Sequence, residues 1–321
     1  MIVQTNKLHE VKISYVRPLY DSMPTVNSSD CAVGLIRASI DLESIDHKEY
    51  FWVLLLTQSK EDEVSAKKNK IPIFHYEAGN RCYDEEVPEE INRKLVDELS
   101  TILFPPTDID LKNLKNEGLL NKKIYKVGNT ISDVIKAYLP KIRKNKILEK
   151  LNLNKKKYFL ATVHRPESVD NIVNFKKLLN SFEKIGKIFN TKFIFSVHPR
   201  TQKILNKISS KKFKFISLLK PLEYLDFMKL MLDSRIIFTD SGGLQEEASI
   251  IGVPCITLRT TSERQITIIK KTNIITGYSQ KRIFEATKKF YNKKLKKNSF
   301  FGKGNVSKKI YDKLKLNLNR N

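Results

Sequence analysis

The stretch 235-RIIFTDSGGLQEEASIIGVPCITLRTTSER-264 decides the fold class. An apolar run, Ile236-Ile237-Phe238, enters Thr239-Asp240-Ser241-Gly242-Gly243; Leu244 to Ile251 then recur at helical spacing until Gly252-Val253-Pro254 introduces a second apolar run. That order is strand, glycine turn, helix, strand, the βα unit of an α/β protein. The first turn of a helix leaves backbone N–H groups without intrahelical acceptors, and the helix dipole adds partial positive charge at the same end. Glycines there let an anion reach the backbone, so the turn predicts a phosphate or diphosphate ligand, although a Gly-Gly turn is first of all a way to reverse the chain. Glu246 and Glu247 follow in the first turn. Adjacent acids point to different azimuths, so one can serve the ligand, as to a ribose diol, while the other faces solvent or Arg264.

The same alternation extends towards the N-terminus. Predicted strands at 71–75, 101–104 and 124–127 alternate with predicted helices at 88–99, 108–117 and 131–138, the second ended by Gly118. Residues 140–157 open with Pro140 and fill with lysine, which reads as a boundary. A second series follows, with strands at 158–163, 193–197 and 213–218 and helices at 175–189, 201–208 and 222–232. These repeats predict parallel sheets covered by helices, with ligands beyond the carboxyl ends of the strands. The expected domains are 1–140, a basic linker at 141–157, and 158–321 with its last helix packing back on the first domain. Residues 1–65 are atypical: only Phe51 to Leu56 reads as a buried strand and Ser59 to Lys70 as a short helix, with no glycine-rich phosphate loop before them.

A chain of 321 residues suits two domains. Cys31, Cys82 and Cys255 are far apart, form no CxxC, and fit a reducing compartment without a metal site. The opening MIVQTNKLHEVKIS has no apolar core of signal-peptide length and no later run reaches membrane-span length, so a soluble cytoplasmic protein is expected. The formal charge of +24 invites a nucleic-acid reading. However, 47 lysines against 12 arginines point to compositional bias rather than a designed phosphate footprint, and no zinc-finger, GxxG or RNP-like pattern accompanies them. A positive field would still help an acidic small substrate arrive.

Three clusters place charged or imidazole groups at predicted strand ends. His75-Tyr76-Glu77-Ala78-Gly79-Asn80-Arg81 is followed by Val87-Pro88-Glu89-Glu90-Ile91-Asn92-Arg93, which sets Glu77 after a strand and Glu89 at a helix start. Two carboxylates sharing a cleft push one pKa upward, so that an acid and a base coexist at neutral pH; the plain alternative for each is a cap or an ion-pair partner. Thr162-Val163-His164-Arg165-Pro166-Glu167-Ser168 is the second cluster and His198-Pro199-Arg200 the third. Their histidines are either salt-linked structural residues or hydrogen-bond donors to a diphosphate.

HYEAGNR, VPEEINR, TVHRPESVDN, PLEYLDF, TDSGGLQEEA and TLRTTSER resemble, in order and spacing, the non-hydrolysing UDP-N-acetylglucosamine 2-epimerase family over about Ala66 to Ile310. The resemblance implies a GT-B fold, two Rossmann-like parallel-sheet domains facing across a cleft. It also implies a UDP-N-acetylhexosamine substrate, no cofactor and no metal, and a homodimer formed through the N-terminal domain. IPIFHYEAGNRCYDEEVPEE resembles most the branch acting on modified UDP-N-acetyl sugars. Carried over by residue, the catalytic groups are Glu77, Glu89 and His164. The UDP-sugar contacts are Arg81, Arg165, His198, Ser241, Gly242, Gly243, Glu247, Arg259 and Arg264, with Ser241 to Gly243 on the diphosphate, Glu247 on the ribose, and Arg259 and Arg264 on the closing loop.

The family's reaction eliminates UDP across C1 and C2 and adds it back with a proton on the other face. Two of its features have no counterpart here. No strand runs into GTRPE, and the aspartate of the later Gly-Asp-Thr aligns with Leu56 in Leu55-Leu56-Thr57. Three readings stay open: a product of a damaged gene, a UDP-sugar binding protein, or an epimerase in which Glu61, Asp62 or Glu63 substitutes.

Overall fold

The computed structural model describes residues 2–5, 11–14, 36–39, 51–55, 67–68, 72–208 and 213–318. Leu56, Glu61, Asp62 and Glu63, on which the question of the missing aspartate turns, lie outside the described residues, as does most of the helix expected at 59–70. The chain divides into two compact units, Met1–Lys136 with Phe300–Asn321, and Ala137–Ser299.

The first unit carries β1 (Ile2–Thr5), β2 (Val11–Ser14), β3 (Ile36–Ser39), β4 (Phe51–Leu55), β5 (Ile73–Tyr76), α1 (Pro88–Leu99), β6 (Ile102–Phe104), α2 (Asp108–Asn116), β7 (Lys123–Ile124) and the start of α3 (Ile131–Lys144). Its sheet has the order β2-β1-β3-β4-β5-β6-β7. From β4 to β7 the strands are parallel, as expected, but β1 is antiparallel to β2 and β3 to β4. Residues 6–10 alone join β1 to β2, too few for the crossover of a dozen or more residues that a parallel pair needs. Three strands before Phe51 were not anticipated; at four residues each they give no periodicity to detect.

Pro88 begins α1, where its missing N–H is not needed, and Glu89 and Glu90 occupy the first turn. A capping box between Thr107 and Asp110 starts α2. The α3 helix runs six residues past the predicted Tyr138 with Pro140 inside it, and Lys141, Arg143 and Lys144 suit the dipole at its end. The division between the units falls on this helix, at Lys136 and Ala137.

The second unit continues with α4 (Ile147–Lys150), β8 (Tyr158–Thr162), α5 (Pro166–Val169), α6 (Ile172–Phe189), β9 (Lys192–Ser196), α7 (Pro199–Leu205), β10 (Ile216–Leu219), α8 (Tyr224–Asp233), β11 (Ile237–Thr239), α9 (Gly242–Ile251), β12 (Cys255–Thr257), α10 (Gln265–Ile269), β13 (Asn273–Ile275) and α11 (Gln280–Tyr291). Its six strands, ordered β10-β9-β8-β11-β12-β13, are all parallel. The apolar runs become a core in which Phe193 stacks on Phe182 at 4.5 Å and packs against Phe159 and Phe238, each at 4.9 Å. From β8 the chain builds outward to β10, then returns to the other side of β8 with β11 and builds to β13. The order therefore reverses between β8 and β11, the place where open α/β sheets bind ligands at their carboxyl ends.

The chain then returns to the first unit as α12 (Val306–Leu318). Asp133 of α3 accepts hydrogen bonds from the backbone N–H groups of Val306 (3.0 Å) and Ser307 (2.7 Å), satisfying donors that the helix start leaves open. No helix among the described residues is long and apolar enough to cross a membrane.

Candidate functional site

Thr162 and Thr239 pair across the switch point, so the residues just beyond them emerge side by side. One chain end contributes His164 and Arg165, the other Asp240 and Ser241. Asp240 is fully buried, and its Oδ2 accepts from the backbone N–H groups of His164 (2.9 Å) and Arg165 (2.8 Å). Its Oδ1 lies 3.1 Å from His164 Nδ1, an ion-pair distance off the line of a full hydrogen bond. Burial raises the Asp240 pKa, but His164 and the two backbone donors outweigh it and hold the carboxyl below its ordinary value. The His164 side chain stays 26% exposed, anchored on one edge and open on another.

His198 follows β9, and its ring lies 5.2 Å from that of His164. His198 Nδ1 accepts from the backbone N–H of Arg200 at 3.2 Å, which caps α7 and assigns the ring proton of the neutral form to Nε2. Burial, then repulsion from His164, lowers the His198 pKa to about 4, so this ring is neutral at pH 7. Arg200 pairs with Asp170, and Arg165 Nη1 lies 3.6 Å from Glu167. His164, Arg165, His198 and Ser241 are thus brought to the ends of three neighbouring strands.

Ser241 precedes α9 without capping it with its side chain. At Gly242 a Cβ would meet the Glu263 carboxylate, which would have to shift; at Gly243 a Cβ would meet no protein atom within 4 Å. Arg264 Nε lies 2.8 Å from Glu246, and Arg259 Nη1 donates to Glu263 at 3.0 Å, all four being buried. Glu247 is buried as well, so neither acid faces solvent, and because the helix starts at Gly242 both lie beyond the first turn in which the sequence placed them. Gln245 Oε1 accepts from Ser262 Oγ (2.6 Å) and Asn273 Nδ2 (3.0 Å), and Ser262 Oγ accepts from the Arg264 backbone N–H (3.1 Å). This network fixes the loop after β12 against the start of α9.

In the first unit, β5 opens into a turn in which Glu77 adopts φ +66°, rare for a residue with a side chain. Asn129 Nδ2 donates to Glu77 Oε1 at 3.0 Å. Gly79, at φ +78°, leaves no room for a Cβ against the Asp110 carbonyl. Asp97 accepts from Gly79 N–H (3.0 Å) and Arg81 Nη2 (2.6 Å), and His75 Nδ1 lies 2.6 Å from its other oxygen. Desolvation raises Asp97, but His75 and Arg81 prevail and lower its pKa. The Arg81 side chain has no exposed surface: Nε and Nη2 hold Glu117 and Nη1 holds the Asn80 carbonyl. So held, the guanidinium braces the turn. Glu89 is half-buried in the first turn of α1, whereas Glu90 is buried and accepts from the backbone N–H groups of Cys82 (2.9 Å) and Tyr83 (3.0 Å).

A UDP-N-acetylglucosamine 2-epimerase family model matches residues 63–315. The chain belongs to that family. The UDP-N-acetylglucosamine 2-epimerase homolog of Methanococcus maripaludis is 42% identical over 258 residues, covering 78% of this chain and 71% of that protein. A UDP-2,3-diacetamido-2,3-dideoxy-D-glucuronate 2-epimerase of Pseudomonas aeruginosa is 32% identical over 78% of this chain and 70% of its own length. The crystal structure of Methanocaldococcus jannaschii UDP-GlcNAc 2-epimerase in complex with UDP-GlcNAc and UDP superposes with a TM-score of 0.72 at 39% identity, covering 79% of this chain and 72% of that one. The fold class is therefore the epimerase family's GT-B type, with two Rossmann-like sheets, here with antiparallel pairs in the first. Sequence reasoning passed over Asp97, Glu90, Gln245, Ser262 and Asp240. Of these only Asp240 left a trace, as an acid between a strand and a glycine turn.

Proposed function

We propose that the protein inverts C2 of a UDP-N-acetylhexosamine, UDP-GlcNAc to UDP-ManNAc or a modified analogue, by eliminating and re-adding UDP. The observation that supports this most is the switch point, where His164 and the start of α9 meet in a chain of the epimerase family. A base takes the C2 proton, the C1–O bond breaks with its electron pair leaving on UDP, and a 2-acetamidoglucal remains. UDP then adds back at C1 as C2 receives a proton on the other face. Glu77 and Glu89 are the proton-transfer pair. His164, His198 and the amides of Gly242 and Gly243 offset the charge growing on UDP, as fixed donors do where charge develops. Ser241 holds the diphosphate, Glu247 the ribose, and Arg165, Arg259 and Arg264 the nucleotide end.

The greater identity to the M. jannaschii UDP-GlcNAc 2-epimerase, 39%, than to the diacetamido-glucuronate enzyme, 32%, favours UDP-GlcNAc as the first substrate to try. A cytoplasmic protein fits a UDP-sugar substrate and thiols that stay reduced, and a homodimer is part of the same proposal. A second reading, UDP-sugar binding without turnover, rests on Leu56 at the position of the family's aspartate.

Incubating the protein with UDP-GlcNAc and following the manno epimer by NMR separates the two: epimer formation supports turnover, while UDP binding without epimer supports the module. Ser241→Ala is expected to weaken UDP binding by about 1.5–3 kcal/mol, the value of a hydrogen bond to a charged group. Unchanged affinity by calorimetry contradicts the diphosphate assignment.

A further inference from the structure

Tyr76 closes β5 and Glu77 follows it, and the side chains of both reach one buried residue, Asn129, from 53 and 52 positions away. The Asn129 amide is held in a single orientation. The Ile131 backbone N–H, which can only donate, donates to Oδ1 at 2.9 Å. The Tyr76 hydroxyl, itself accepting from the Thr130 N–H at 2.6 Å, donates to the same oxygen at 2.9 Å. The NH2 group therefore faces the other way, where Nδ2 donates to Glu77 Oε1 at 3.0 Å. The main chain here is fixed as well: Asn129 N–H donates to the Phe301 carbonyl at 2.6 Å, and a Cβ on Gly128 would strike that same carbonyl.

We propose that Asn129 is a positioning residue for proton transfer: by donating to Oε1 it makes Oε2 the oxygen through which Glu77 takes or gives the C2 proton. The inference rests on the reading of Glu77 as one of the proton-transfer pair, to which it adds a residue and a choice of oxygen. That choice is the same whichever face of the sugar Glu77 serves. As a base, the carboxylate keeps Oε1 on the Asn129 N–H and accepts the proton on Oε2. As an acid, the carboxyl group presents its carbonyl oxygen, the better acceptor, to Asn129 and carries its proton on Oε2. No heavy atom has to move between the two states, so the proton passes in and out at one place. The backbone of the turn is set separately, by Asp97 on Gly79 and Arg81, so one cluster fixes the main chain at Glu77 and another aims its carboxyl group.

Asn129→Asp tests this because the replacement is nearly isosteric. One oxygen still accepts from the Ile131 N–H and the Tyr76 hydroxyl, while the other faces Glu77 Oε1 where a donor stood. In the full-length protein kcat is expected to fall by about 10²-fold, the range of a general acid or base put out of position, with KM and UDP affinity within about threefold. Isotope effects separate this from a loss of structure. Deuterium at C2 of UDP-GlcNAc reports proton removal and deuterated solvent reports proton return, and one of the two should be expressed on kcat in Asn129→Asp. In an Asn129→Asp, Glu77→Gln double variant the Asn129 substitution should add little, because both act through one carboxyl group.

An Asn129→Asp variant with unchanged kcat overturns the proposal, as does a slow variant in which neither isotope effect is expressed, or losses that multiply in the double variant. Should Asn129→Asp not fold, the side-chain amide NMR signals of Asn129 in the wild type still decide: they are expected to shift in Glu77→Ala, and unmoved signals overturn the contact on which the proposal stands. A wild type that never forms epimer defeats the proposed function instead, and the amide signals stand apart from it.

Discussion

Two buried aspartates, one in each unit, organise a histidine in different ways. Asp97 lies 2.6 Å from His75 and 2.6 Å from Arg81, with all three side chains sealed. Asp240 lies 3.1 Å from His164, whose side chain remains 26% exposed. The first closes on itself, and its product is a rigid turn that carries Glu77 at a strained φ. The second is closed on the backbone side and open on the other, and its product is an oriented imidazole. An aspartate–histidine contact is therefore not a catalytic signature by itself. What distinguishes the two is whether the histidine has surface left to meet a ligand.

The largest effect that could break this contrast is expected from Asp97→Ala. It takes from the buried Arg81 one of its two carboxylates, leaving Glu117, and leaves Gly79 N–H without its acceptor; removing one partner of a buried charge pair costs up to about 3–5 kcal/mol. Urea unfolding at neutral pH reads it. A change below about 1 kcal/mol would mean that the cluster is not what holds the turn. Because Asp97 has a lowered pKa, its contribution is fully present above the ordinary value of 3.8 and is lost as pH falls below it. Wild type is thus expected to lose stability over that acid range more steeply than the variant.

Asp240→Asn should be milder in the same experiment, about 1 kcal/mol, since an amide oxygen still accepts both backbone donors. Stability and turnover are expected to separate here: at Asp97 they fall together, at Asp240 turnover falls far more. A loss at Asp240 as large as at Asp97 would erase the difference between the regions.

His198 sharpens the comparison through pH. Its folded pKa, about 4, lies below the ordinary 6.5, so between those values the unfolded chain binds the extra proton and stability declines as pH falls. His198→Gln is expected to flatten the stability profile in that window and leave it unchanged above 6.5; an identical slope would contradict a neutral His198. The smallest effect is expected from Arg200→Ala. It removes a partly exposed pair with Asp170 and should change stability by about 0.5 kcal/mol or less.

The second unit was the more legible in sequence. Long apolar runs at β8, β9 and β11 and the Ser-Gly-Gly start of α9 announce themselves because strand burial and helix termini are local properties. Short β1, β2 and β3 and the single turn of α5 carry too few residues to show a period. Side-chain partners were less legible still. Asp240 meets His164 from 76 residues away, Arg81 turns inward to Glu117 across 36, and the choice of Glu90 over Glu89 for burial depends on where the loop at Cys82 folds. Such pairings arise from tertiary packing, and only residue types, not partners, are written locally.

The most direct test of the proposed reaction is to incubate the protein with UDP-GlcNAc in deuterated water and examine C2 of the recovered sugars. Elimination and re-addition of UDP predict solvent deuterium at C2 together with the manno epimer. UDP-GlcNAc recovered without deuterium and without epimer, from a protein that binds UDP, would contradict the account.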